Sequence, residues 1–391
     1  MIKNILELKH TFFLNYQKSI SFPTTFSQVK NILSKPEISE KEFLDLLFSK
    51  DDLSLELIAK KSKSITEKYF GKVILFYVPL YISNYCVNKC TYCGYSNINK
   101  NVERKKLKEN EIDLEMQVLK KKGFDTILIL TGDDKKNSSL KYLSTTIEIA
   151  KKYFTEILIE TYAMTYEEYK HLVNKGLTGV TIYQETYDEK LYDKLHLEGP
   201  KKDFDFRLES PERAIKSGVK EISIGCLLGL NSNFLYDVYM TVCHADYLQK
   251  NYPEVEVSIS YPRLQPAIGV KNVTTNVSDK DFVKIICATR IFLSRVGINL
   301  STREKAYMRD NLIGLGITRM SAGSKTSVGG YKYENLPNQF EISDNRSVYE
   351  IERVIWQKGY EPVFDAPQAR DSSFSPQAPA QGLHRERALT L

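Results

Sequence analysis

Three cysteines, Cys86, Cys90 and Cys93, sit within eight residues in the spacing C-x3-C-x2-C. Three thiolates on one short loop can hold three irons of a four-iron cube. With no fourth cysteine nearby, the remaining iron keeps an open coordination position that can take a substrate or cofactor. A structural zinc site would need four closed ligands, usually as two short pairs, and the next histidine after this loop is His171. A simple electron-transfer centre would also need a fourth thiolate. The other cysteines, Cys226, Cys243 and Cys287, fall on predicted strands or helices and read as small buried hydrophobes. Six cysteines so unevenly spaced do not make a disulfide framework.

The cysteine loop must be positioned by something, and the chain around it alternates short apolar runs with longer amphipathic stretches from Val73 onward. That texture predicts βα units and a parallel sheet. The predicted strands cover residues 72–82, 126–130, 156–160, 179–183, 221–227, 256–260, 298–301 and 317–321. Helices are predicted between them at 111–122, 140–153, 165–174, 210–217, 234–250, 279–295 and 304–315. Eight strands with intervening helices predict an α/β fold, a (β/α)8 TIM-like barrel whose chemistry sits on loops at the strand C-termini. Polar residues fall at those ends: Gly132-Asp133, Glu160, Gln184-Glu185, Arg263, Arg303 and Ser321.

Residues 1–70 carry helical periodicity, notably at 26–33 and 42–48, and are expected to form an N-terminal helical extension. Residues 71–365 are expected to form the barrel with its C-terminal region. No lysine follows Lys358, and residues 366–391 are rich in Ala, Pro, Gln, Ser and Arg, so they read as a disordered or non-native tail.

The chain has 391 residues, 42% hydrophobic and 27% charged, enough for a large core. Its net charge of +6 comes from scattered lysines whose densest runs lie on or beside predicted helices, so they read as solvated helix faces and not as a nucleic-acid stripe. No run approaches the roughly 18 apolar residues of a membrane span, and the opening residues lack a secretory core. A cytoplasmic protein with neither membrane nor nucleic-acid partner is expected.

A C-x3-C-x2-C loop after the first strand of a βα barrel, with the aromatic Tyr92 just before the last cysteine, resembles the radical S-adenosylmethionine (SAM) superfamily. The resemblance implies a 4Fe-4S cluster on Cys86, Cys90 and Cys93, and a SAM molecule chelated by the open iron and cleaved to a 5′-deoxyadenosyl radical. The family's glycine-acid element should approach the SAM amino group; here it reads Gly132-Asp133, with Asp where Glu is usual. Its other reading is a turn capping the following helix. Glu160 and Gln184 are expected either to meet SAM's ribose or amino group or to make structural hydrogen bonds. Arg263 could pair with SAM's carboxylate or brace the sixth loop, and His196 reads as structural.

Residues 81–95, 180–214, 222–230, 258–269, 299–304 and 320–331 carry the likeness further, to the tyrosine lyases of thiamine biosynthesis, the 2-iminoacetate synthase family. That resemblance implies L-tyrosine as substrate, with cleavage of its Cα–Cβ bond to 2-iminoacetate (dehydroglycine) and p-cresol. It also implies thiazole synthase as the acceptor of the product and a low-potential flavodoxin or ferredoxin as reductant. A tyrosine site needs a cation for the carboxylate and polar groups for the backbone. Arg303, whose other reading is an ion pair with a neighbouring acid, and Ser321 are the candidates. The hydrogenase-maturation tyrosine lyases need a second cluster on C-terminal cysteines, whereas Cys287 is the last cysteine here.

Overall fold

The computed structural model describes residues 2–270, 276–333 and 338–364. Eight parallel strands follow one another around a ring: β1 (Val73–Ser83), β2 (Thr126–Thr131), β3 (Glu156–Glu160), β4 (Gly179–Thr181), β5 (Glu221–Gly225), β6 (Glu256–Ser260), β7 (Gly297–Leu300) and β8 (Arg319–Ser321). β1 pairs with β8 through Leu75–Tyr77 and with β2 through Val78–Ser83, which closes the barrel. The strands are apolar runs because a parallel strand is covered on both faces, by barrel interior and by helix; all five residues of β5 are buried.

A short strand, β9 (Glu361–Val363), pairs with β1 at Val73–Leu75. Leu75 is shared with β8 on its other edge, so β9 occupies the stretch of β1 that lies before β2 begins. It covers backbone groups that would otherwise be an open sheet edge.

The expected strands all occur; most ends shift by one or two residues, including β8, which begins at Arg319 and not at residue 317, and two differences bear on the site. The runs at 179–183 and 221–227 extend past the regular pairing, which stops at Thr181 and Gly225. Beyond those points Glu185 takes a left-handed backbone (φ 72°) and makes an isolated bridge to Cys226.

Outer helices at Glu109–Lys121, Leu140–Ala150, Tyr166–Lys175, Ser210–Ser217, Phe234–Asn251, Asp279–Phe292 and Ala306–Leu312 surround the barrel. Four more, Ile2–Ser19, Phe26–Leu33, Glu40–Leu47 and Asp52–Phe70, precede it. They share its core: Phe13 meets Tyr236 and Tyr239 at 5.3 and 5.5 Å between ring centres, and Phe43 stacks on Phe292 at 5.1 Å. Capping boxes at Thr25/Gln28 and Ser39/Glu42 start two of these helices.

The barrel floor is polar. Arg319 at the start of β8 ion-pairs with buried Glu221 on β5 and reaches Glu256 on β6 at 2.9 Å. One layer higher, Asn299 Nδ2 donates to Ser223 Oγ (3.0 Å) and Ser258 Oγ (3.1 Å). These cross-barrel contacts plug the N-terminal end and leave the C-terminal end as the mouth. Residues 366–391, expected to be a tail, lie outside the described residues.

Candidate active site and cysteine loop

Ser83 ends β1 and the chain turns into the cysteine loop, where backbone pairing holds it. Thr91 N donates to Leu195 O (3.0 Å), Leu197 N to Lys89 O (3.0 Å) and Lys89 N to Glu198 O (2.9 Å), an antiparallel ribbon centred on Cys90 and His196. Asn88, one residue before this pairing and fully buried, ties three segments together. Its carbonyl accepts from Asn97 N (2.8 Å), its amide donates to Asp133 Oδ2 (2.8 Å), and its side-chain oxygen accepts from Lys201 N (3.0 Å).

Cys86, Cys90 and Cys93 all line a cavity at the C-terminal mouth of the barrel. At about 180 Å³ it holds much more than a single water, which needs about 10–15 Å³. Burial, then the charges of Asp133 and Cys93, pushes the Cys86 thiol up to about 12. Burial also raises Cys90 and Cys93, against the nearby Lys201 ammonium. Three crowded thiols that resist ionising become a stable anionic set when a multiply charged metal centre neutralises them. Among the described residues no three His, Cys, Asp or Glu side chains converge on a single ion. A cube asks for a different arrangement, since each thiolate takes its own iron, and the donor set fits that group.

Tyr92 points inward from the loop. Its hydroxyl lies 2.7 Å from His196 Nε2, while His196 Nδ1 lies 2.8 Å from the Tyr192 carbonyl. A carbonyl only accepts, so Nδ1 carries the hydrogen and Tyr92 donates to Nε2. Burial, with Lys201 adding to it, lowers the imidazole to about 3 and keeps it neutral.

Gly132 abuts the loop and lines the cavity: a β-carbon there would stand 2.4 Å from the Tyr85 carbonyl oxygen. The helix that follows this element is capped by Ser139 and not by the element itself. Asp134 forms the turn, accepting from Lys136 N (2.8 Å) and Asn137 N (3.1 Å), and Asp133 faces the cavity and Asn88.

Glu160, at the end of β3, also lines the cavity. Burial and the neighbouring Glu185 charge raise its carboxyl to about 7, although Arg303, Lys201 and Arg207 oppose the shift. Gln184 does not reach the cavity; its amide donates to Phe204 O at 3.3 Å. Its neighbour Glu185 does, and it meets Lys201 Nζ at 2.7 Å with both side chains nearly buried. Despite burial, Lys201 and Arg207 hold the Glu185 carboxyl below its ordinary value.

Arg263 is turned away. Its guanidinium grips Glu304, Asp279 (2.7 Å) and the Val277 carbonyl (2.9 Å), which braces the loop after β6. Because Glu304 is taken by Arg263, Arg303 makes no ion pair among the described residues; it lies 3.3 Å above the Phe340 ring at the cavity wall. Ser321, Ser324 and Asn299 line the same cavity, and their Oγ, Oγ and Oδ1 atoms are buried and without a hydrogen-bond partner among the described residues. Orphaned buried polar atoms call for a polar ligand.

Asn88, Lys201 and Arg207 were not singled out from the sequence. Lys201 and Arg207 lie in the long segment 180–214 that carries the family likeness, and that was the signal available.

Residues 80–235 match the Radical SAM superfamily, and residues 260–361 match the Biotin and Thiamin Synthesis associated domain. The 2-iminoacetate synthase of Salmonella typhimurium is 36% identical over 341 residues, covering 87% of this chain and 90% of that protein. The Escherichia coli 2-iminoacetate synthase is 35% identical over 342 residues, with the same coverage of 87% and 90%. Among solved structures, the FeFe-hydrogenase maturase HydG from Carboxydothermus hydrogenoformans superimposes with a TM-score of 0.87 at 32% identity, covering 93% of this chain and 85% of that one. Given these relations and a cysteine triad at the barrel mouth, the chain belongs to the 2-iminoacetate synthase family of the radical SAM superfamily.

Proposed function

We propose that the chain is a radical SAM carbon–carbon lyase that cleaves L-tyrosine between Cα and Cβ, giving 2-iminoacetate and p-cresol for thiazole formation in thiamine biosynthesis. The observation that carries the reading is the shared cavity: it is lined by three cysteines and, among the described residues, by an arginine without an ion pair and two buried serine hydroxyls without a hydrogen-bond partner.

Cys86, Cys90 and Cys93 would hold the 4Fe-4S cluster. When bound, the cluster and SAM supply a 5′-deoxyadenosyl radical. The protein's part is to bind, orient and exclude water. In this reading Arg303 takes the tyrosine carboxylate, and Ser321, with Ser324, donates to the substrate backbone. Glu160, close to half-protonated near neutrality, can accept from a ribose hydroxyl or an amine. Asp133 approaches the SAM amino group, Gly132 leaves room for the loop, and Tyr92 sets the loop's inner face. Lys201 and Arg207 supply positive charge beside the carboxylates of Asp133 and Glu185.

Thiazole synthase is the partner this reading implies, as acceptor of a short-lived product, and a reduced flavodoxin or ferredoxin is the implied electron source. Among the described residues no helix is long and apolar enough to cross a membrane. Anaerobic incubation with reductant, SAM and tyrosine should yield p-cresol and 5′-deoxyadenosine together. Deoxyadenosine formed at the same rate without tyrosine, and no p-cresol, would remove the substrate assignment.

A further inference from the structure

The chain from residue 338 crosses the barrel mouth as a strap. Gln339 N donates to Thr326 O (3.0 Å), Glu341 N to Pro266 O (3.0 Å) and Ser343 N to Thr302 O (2.9 Å), so the segment is fastened at three points. At its start it presses on the cysteine loop: a β-carbon on Gly94 would stand 2.3 Å from the Gln339 carbonyl oxygen. Tyr95 shares the first anchor, its hydroxyl donating to Thr326 O at 2.6 Å. Gln339 is thereby seated against residues 93–95. Its side chain has two ends with different partners. The buried Tyr81 hydroxyl, which burial keeps protonated, donates to Oε1 at 2.8 Å. That turns the amide nitrogen toward the loop, where Nε2 donates to Cys93 Sγ at 3.7 Å, a bond lengthened by the larger radius of sulfur.

We propose that Gln339 is a positioning residue that raises the reduction potential of the cluster through this N–H···S hydrogen bond to Cys93. The inference rests on the radical SAM reading above. An electron entering the cube adds negative charge that spreads onto the ligand sulfurs. A donor aimed at one of them therefore stabilises the reduced form more than the oxidised form. The cluster gains one electron from an external reductant; no bond forms or breaks and no proton moves. The donor lies 246 residues from the sulfur it meets, so the strap makes the electron affinity of the cysteine loop depend on the C-terminal region. Tyr81 is what fixes the sense of the effect, because an amide turned the other way would point its oxygen at the sulfur and favour the oxidised form.

The test uses full-length, cluster-loaded protein without SAM or tyrosine, and the variant Gln339→Met, which keeps the length of the side chain and removes both polar ends. Potentiometric titration followed by electron paramagnetic resonance should show the reduced-to-oxidised ratio at a fixed poise falling about ten-fold, a downward shift of about 59 mV for a one-electron couple. In protein carrying isotopically labelled glutamine amides, electron-nuclear double resonance of the reduced cluster should show a nitrogen coupling that Gln339→Met abolishes. Iron content should be unchanged. An unaltered potential, or a nitrogen coupling that survives in the variant, would overturn the proposal. So would a variant that binds less iron while its remaining clusters keep the original potential, which would make Gln339 a mere support for the loop. A cluster resonance that ignored added SAM would overturn the radical SAM reading, and a missing p-cresol product the substrate assignment. The potential and the coupling are read without either molecule, so each failure shows on its own.

Discussion

Gly132 lies so close to the cysteine loop that a β-carbon would stand 2.4 Å from the Tyr85 carbonyl oxygen and 3.1 Å from Cβ of Cys86. The two backbones are also tied by hydrogen bonds, from Gly132 N to Ser83 O and from Val87 N to Asp133 O, both 2.9 Å. Gly132→Ala must therefore push the loop at its first ligand. The overpacking should cost about 1–3 kcal/mol of stability. Misplacing Cys86 by an ångström should lower p-cresol formation about a hundred-fold. Iron analysis and electron paramagnetic resonance of the reconstituted variant check it; full iron content with normal turnover would show that the close packing is dispensable.

The ribbon's backbone bonds do not involve sulfur, which separates folding from cluster binding. Cys90→Ser should keep Thr91, Leu197 and Lys89 paired with their partners, so stability of the cluster-free protein should change by no more than about 1 kcal/mol. Cluster absorbance and SAM cleavage should both vanish. In the unaltered protein, the resonance of the reduced cluster should shift when SAM is added. If the unaltered protein itself unfolded on losing its cluster, leaving it no more stable than Cys90→Ser, the metal site would be purely structural.

Arg303 faces the cavity without an ion pair among the described residues, its chain neighbour Glu304 being engaged by Arg263. A hydrogen bond between charged groups contributes about 1.5–3 kcal/mol, so Arg303→Ala should raise the KM for tyrosine about ten- to a hundred-fold. Slow deoxyadenosine release without tyrosine should persist, since SAM binding does not depend on this residue in the proposed arrangement. Arg303→Lys should recover only part of the loss, because an ammonium lacks the planar fork that matches a carboxylate. An unchanged KM in Arg303→Ala would move the carboxylate site to another cation.

How far such a site can be read before folding depends on whether its signal is local. The strands at 126–130 and 156–160 stand out because burial on both faces leaves an unbroken apolar run, and the cysteines because ligand spacing is a property of one loop. Glu185 and Lys201 are different. They lie 16 residues apart with a helix between them, and they meet only because the Asn88 side chain captures Lys201 N from the far side of the barrel mouth. Gln184 and Glu185 are neighbours that point in different directions, a choice made by the left-handed backbone at Glu185, which no apolar pattern reports. Arg263 and Arg303 likewise end two successive barrel strands, and only the position of Glu304 decides which is braced and which faces the cavity. The three-residue β9 is too short to carry a period of its own.

Glu160 should leave a signature in the pH dependence of folding. Its carboxyl is raised from 4.5 to about 7 in the folded chain, chiefly by burial and then by Glu185. A folded-state value above the unfolded one means that the native protein holds the proton more tightly across that interval. Stability is therefore greatest below 4.5 as far as this group is concerned, and it falls as pH rises from there through 7. The full shift corresponds to roughly 3 kcal/mol. Buried Asp237, raised to about 7 by burial, and Glu115 and Glu221, also raised by burial, contribute declines of the same sign in the unaltered protein. Glu160→Gln removes one of these groups. Urea denaturation of cluster-free protein at pH 5 and pH 8 should show the loss of stability with rising pH reduced by up to that amount. The variant should match the unaltered protein most closely at the acid end. An identical decline in both proteins would mean that Glu160 ionises without penalty, and that the cavity wall is wetter than its lining of buried tyrosines and carboxylates implies.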